Sequence, residues 1–146
     1  KIIKKPNDYL HKKIRRLNSK TKDFKKNKIF CTLLLSGNKE IKNLNKKFRK
    51  KNKATDILSF PFQSKKEFKK KLKGRKDIYL GDIIISYNFI NKPKSLNTKL
   101  FKEKVIKIFI HGFLHLLGFD HKKNKDYIKM LKEEGQIYKS IISKTK

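Results

Sequence analysis

The spacing of apolar residues changes several times along the chain, and each change marks an element. Ile29 to Leu35 reads Ile-Phe-Cys-Thr-Leu-Leu-Leu, a nearly unbroken run of strand length closed by Ser-Gly-Asn. It predicts a strand buried on both faces. From Asn38 to Arg49 the period lengthens, with Ile41, Leu44 and Phe48 at i, i+3 and i+7. That spacing predicts a helix with one apolar stripe and Arg49 off it. Ile57 to Phe60 is a short strand, and Pro61 ends it or marks it as a sheet edge. Gln63 to Lys76 is polar, lysine-rich and weakly patterned, which predicts a mobile loop. Asp77 to Ser86 is rich in β-branched residues and predicts another strand, with Gly81 marking a bulge or bend.

The second half is dominated by helical spacing. Ser95, Asn97 and Thr98 are good helix-start residues, and the pattern from there to Leu117 is helical. It is amphipathic at first and apolar almost all round from Ile106, as expected of a central buried helix. After a polar break at Lys122–Lys125, Asp126 to Ile142 predicts a last helix with Ile128, Leu131, Tyr138 and Ile141 on one face. Near the start, Asp8 to Leu17 reads as a short amphipathic helix. Strands and helices mix without strict βαβ alternation. The expected fold is therefore α+β: a small mixed sheet packed on the central helix, with flanking helices, in one domain over residues 1–146.

Composition narrows the function classes. No apolar run approaches the roughly 20 residues needed to span a bilayer, and Lys1-Ile-Ile-Lys-Lys-Pro lacks the apolar core of a secretory signal. The single cysteine, Cys31, excludes an internal disulfide and suits a reducing compartment, so the expected location is cytoplasmic, with no membrane partner. Lying in an apolar run, Cys31 reads as buried filler. The net charge of +30 favours anionic partners, above all nucleic acid. Nearly all of it is lysine, with four arginines, and isoleucine and asparagine abound, as an AT-rich genome would impose. Charge alone thus supports a nucleic-acid partner without naming one.

The chemistry concentrates in His111-Gly-Phe-Leu-His115-Leu-Leu-Gly118-Phe-Asp-His121, which holds three of the four histidines. His111 and His115, four apart, share one face of the buried helix. Gly118 tolerates the positive φ that ends a helix, so the chain can turn and bring His121 back. One histidine on an apolar helix is usually a satisfied core residue. Three burying together cost free energy unless each finds a partner, and one metal ion satisfies them all. Three neutral imidazoles with a fourth position left for water make a catalytic zinc site. His11, far off in sequence, reads as a surface residue.

The spacing H-x-x-x-H-x-x-G-x-x-H is that of the metzincin proteases, which carry glutamate after the first histidine. Here that position is Gly112, and the general base is missing. Zinc can still lower the pKa of its water to about 7 without a neighbouring base, and the role of Asp120 stays open. A phosphodiester suits both the site and the charge. Arg49 is the cation best fitted to grip it, because a guanidinium binds phosphate in two places. On sequence grounds alone Arg49 reads as a solvated helix charge.

Three segments resemble the YbeY family of bacterial metallo-endoribonucleases. Asn45-Lys-Lys-Phe-Arg49 with Thr55-Asp56-Ile-Leu-Ser59-Phe-Pro61 is similar to its first signature. Leu80-Gly81-Asp82-Ile-Ile-Ile-Ser86 is similar to the second, and the histidine segment to the third. The resemblance implies a zinc-dependent endoribonuclease that cuts single-stranded RNA, acting in maturation of the 16S rRNA 3′ end and in ribosome quality control, with the small ribosomal subunit as a partner. It implies one zinc ion on His111, His115 and His121, and a role in activity for Arg49. Two alternatives stand beside it. One is a ribosome-bound assembly factor whose metal is structural; the other is a metal-dependent protein hydrolase with an unconventional base, against which Gly112 counts.

Overall fold

The computed structural model describes residues 28–74, 77–92 and 97–143. The expected helix at Asp8–Leu17, with His11, lies outside the described residues, as does Ser95. Three strands, β1 (Ile29–Ser36), β2 (Ile57–Pro61) and β3 (Ile78–Ser86), form one sheet in the order β1-β3-β2. β1 runs parallel to β3, and β2 runs antiparallel to it. Five helices complete the described part: α1 (Asn38–Arg49), α2 (Lys65–Lys73), α3 (Tyr87–Ile90), α4 (Thr98–Leu116) and α5 (Asn124–Ile142). The architecture is α+β with a mixed sheet, as the pattern of elements predicts.

β3 is the central strand, and its near-continuous apolar run is buried on both faces. Ile83 and Ile85 join the main core with Val105, Phe109, Ile110, Phe113 and Leu114 of α4. Ile84 points the other way, into a smaller cluster with Ile41 of α1 and Leu58 of β2. Gly81 sits at a bulge, where the β1 register slips between Phe30 and Thr32. Its φ of +134° suits glycine, and a Cβ there would lie 2.1 Å from the Phe60 carbonyl oxygen. Pro61 lies on β2, an edge strand among the described residues, where a missing N–H costs no ladder bond.

Several expectations are corrected. Among the described residues β1 is an edge strand rather than one buried on both faces, and Phe30, Leu34 and Leu35 are partly exposed. Within the stretch expected as a loop, Lys65–Lys73 form α2, because Ser64 and Glu67 make a reciprocal capping box. Phe68 anchors that helix in the core and Leu72 packs beside it. The buried face of α1 is Ile41 with Asn45, leaving Phe48 57% exposed. Asn45 donates from Nδ2 to the Lys53 carbonyl at 2.7 Å, tying the following loop to the helix. The buried stripe of α5 is Met130, Ile137 and Ile141, whereas Ile128 and Leu131 face outward. Burial pushes the Cys31 thiol up to about 11, with Asp82 adding to it, in keeping with an unreactive filler.

Candidate metal centre

α4 begins at Asn97, whose side-chain oxygen accepts from the Leu100 N–H at 2.9 Å. Near its far end it lies flush on the sheet at Gly112. A Cβ there would come within 2.4 Å of Ile57 Cδ1, 2.9 Å of Ser59 Oγ and 3.2 Å of Ile83 Cγ2. Ser59 Oγ also donates to the Gly112 carbonyl oxygen at 3.1 Å. The position where a protease carries its glutamate is thus closed by the sheet.

The helix ends in a Schellman turn. The Gly118 N–H donates to the His115 carbonyl at 2.9 Å and the Phe119 N–H to the Leu114 carbonyl at 3.0 Å, with Gly118 at φ +90°. This reversal returns His121 to the two helical histidines. The ring nitrogens of His111, His115 and His121 that could ligate all lie within 4.8 Å of one another. His115 is half-buried, and His121 is exposed with its ring stacked on His111 at 5.5 Å.

The partners of these rings decide their tautomers. His111 Nδ1 lies 2.6 Å from Glu134 Oε1, and His115 Nδ1 lies 3.0 Å from the Phe119 carbonyl oxygen. A carboxylate and a carbonyl can only accept, so each Nδ1 carries a hydrogen, and in the neutral ring Nε2 is left with the lone pair that can ligate. Those two Nε2 atoms face each other at 3.1 Å. At that separation the two nitrogens can share one proton or, with both rings neutral, ligate one cation, and metal–nitrogen bonds of about 2 Å fit it. The donor set therefore fits a metal ion. Burial lowers the pKa of His115, and neighbouring His111 adds to the shift, so the neutral, ligating form is favoured.

Glu134 was not among the residues singled out from the sequence. The signal was there, since it falls four residues after Met130 on the stripe that α5 buries. By holding His111 it should tune metal affinity. Glu134→Ala is expected to weaken metal binding about 10- to 100-fold, and Glu134→Gln by less, because its amide oxygen still accepts. Competition against a chromophoric chelator measures this; equal affinities would show that His111 is oriented without Glu134.

The histidines open onto a groove of about 1090 Å³ that is also lined by Arg49, Lys51, Lys53 and Lys65. Arg49, on the last turn of α1, is exposed and joins neither of the two ion pairs among the described residues. The structure thus brings Arg49 and the three histidines to one groove. Asp120 accepts the His121 N–H at 2.8 Å, and that bond chiefly holds its carboxyl below the usual range. Asp56 and Glu67, also in the groove, likewise hold backbone amides, those of Ile57 and Ser64. No helix among the described residues is long and apolar enough to cross a membrane.

A sheet-backed helix that ends in three convergent imidazoles at an open, lysine-lined groove defines an α+β protein with a candidate metal centre. The family described as "Endoribonuclease YbeY" matches residues 2–142, and the chain belongs to it. An "Endoribonuclease YbeY" of Pelagibacter ubique is 62% identical over 80% of this chain and 72% of its own length. One from Buchnera aphidicola (subsp. Acyrthosiphon pisum) is 40% identical over 80% and 71% respectively. A solution structure from Thermotoga maritima covers 96% of this chain and 88% of its own, at 22% identity and a TM-score of 0.47.

Proposed function

We propose that this protein is a zinc-dependent endoribonuclease that cuts single-stranded RNA in the cytoplasm, with the 16S rRNA 3′ end on the small ribosomal subunit as its substrate. The observation that carries the reading is the convergence of three imidazoles, with the Nε2 atoms of His111 and His115 at 3.1 Å, on the floor of a basic groove. The names of the relatives, "Endoribonuclease YbeY", support RNA as the polymer.

In this reading His111, His115 and His121 hold the ion, and Glu134 and the Phe119 carbonyl fix the first two rings. Zinc, when bound, supplies Lewis acidity for phosphodiester hydrolysis. Arg49 grips the phosphate beside the scissile bond, and its planar guanidinium orients that group as well as neutralising it. The lysines of the groove hold the rest of the backbone without regard to sequence. Three imidazoles among the described residues leave the centre open to substrate, which supports catalysis over a closed structural role.

The test is cleavage of a single-stranded RNA carrying an unprocessed 16S rRNA 3′ end, beside the same strand annealed to its complement. Zinc-loaded protein should cut the single strand, spare the duplex, lose activity on chelation and regain it with zinc. Cleavage indifferent to chelation would sink the reading. Binding to small subunits without any cleavage would favour the assembly factor instead.

A further inference from the structure

Two phenylalanines on the same groove have no place in the core. Phe48 is 57% exposed and Phe62 is 66% exposed, and both line the groove that holds Arg49 and the three histidines. Phe48 lies within the expected apolar stripe of α1, yet the helix buries Asn45 instead and turns the ring to the groove. Phe62 follows Pro61 at the end of β2, where its N–H donates to the Leu80 carbonyl at 2.9 Å, so its backbone is held.

Neither ring is loose. Phe48 stands against Phe60 at 5.3 Å between centroids and an interplanar angle of 62°, and Phe62 against Tyr79 at 5.5 Å and 70°. Each has an ammonium over one face: Lys47 Nζ is 5.2 Å from the Phe48 centroid and Lys71 Nζ is 5.6 Å from that of Phe62, which leaves the opposite face to take a base. An exposed aromatic ring held by an edge contact, with a cation over one face, matches a nucleotide, whose base has a flat apolar face and whose phosphate is anionic. A duplex hides those faces, and a single strand offers them.

We infer that Phe48 and Phe62 are base-stacking platforms, each taking one unpaired nucleobase of the strand whose backbone lies in the groove. The inference rests on the RNA-cleaving reading above. It assigns the preference for single strands to two rings rather than to the metal centre. Stacking tolerates any base, so the platforms select strandedness and spacing rather than sequence.

The test couples protein and base by paired deletions on a ten-nucleotide single-stranded RNA, scanned with one abasic site at a time. In the wild type, an abasic site at a stacked position should raise KM about tenfold. In Phe62→Ala one of those positions should become indifferent to base removal, and in Phe48→Ala a different one. Phe62→Trp should restore the penalty, whereas Phe62→Leu, which keeps apolar bulk without a stacking face, should not. Both rings are largely exposed, so circular dichroism should show all four variants folded. Abasic penalties unchanged in both alanine variants would overturn the inference while leaving the nuclease intact. A wild type that neither binds the decamer by fluorescence anisotropy nor cuts it would overturn the nuclease reading, and this inference with it.

Discussion

His115→Ala should lose metal binding and RNA cleavage together while remaining folded. Removing this imidazole takes away a ligand, not a supporting group, so the loss should exceed the roughly 10- to 100-fold typical of an outer partner. It also removes the nitrogen that faces His111 Nε2 at 3.1 Å, so the two helical imidazoles no longer converge on one point. His115 is only half-buried, so the melting temperature without metal should move by a few degrees at most. Metal content after gel filtration, the melting curve and cleavage of the single strand give the three readings. Full metal content with lost activity would mean that His115 acts on substrate rather than on the ion. Unchanged activity would trace the cleavage to another protein in the preparation.

Gly112→Glu rebuilds the histidine–glutamate spacing of a metalloprotease on paper, and it should destabilise the protein rather than create a protease. Any Cβ at this position meets Ile57, Ser59 and Ile83 at 2.4, 2.9 and 3.2 Å. Overpacking of this kind costs about 1–3 kcal/mol, and a carboxylate forced between helix and sheet adds several more. Gly112→Ala isolates the first term, and the better helix propensity of alanine offsets up to about 1 kcal/mol of it. For a chain of this size, Gly112→Glu should lower the melting temperature by about 10 °C or more. Thermal melts followed by circular dichroism decide it. A Gly112→Glu protein that melts with the wild type would show that α4 can stand off from β2 without loss.

What could be read from sequence divides along physical lines. The histidine centre was legible because its parts lie within a single helix and the turn that ends it, where spacing fixes geometry. His111 and His115 share a face by the helical period, and Gly118 supplies the positive φ. The central helix and the edge role of Pro61 were legible for the same local reasons. Which face an element buries is settled by partners far along the chain, and there the reading slipped. The outward Ile128 and the inward Glu134 on α5 follow from how that helix meets α4. The exposure of Phe30, Leu34 and Leu35 on β1 follows from strand order among the described residues, which no local pattern encodes. α2 is the exception: its Ser64–Glu67 capping box was visible, and the lysines around it masked a sound start signal. The high charge did not reveal that Arg49 would share a groove with the histidines; the sheet and α1 bring them together.

The Schellman turn has a kinetic consequence. Because one helix end and one reversal supply all three imidazoles, closing the centre spans only the eleven residues from His111 to His121. The β1–β3 ladder, by contrast, joins residues roughly fifty positions apart. Contacts so close in sequence form early and at small entropic cost, while the parallel pairing must wait for a long loop to close. An ion present during refolding would therefore find its ligands before the sheet is complete, and the bound segment could serve as the seed on which the rest of the chain condenses.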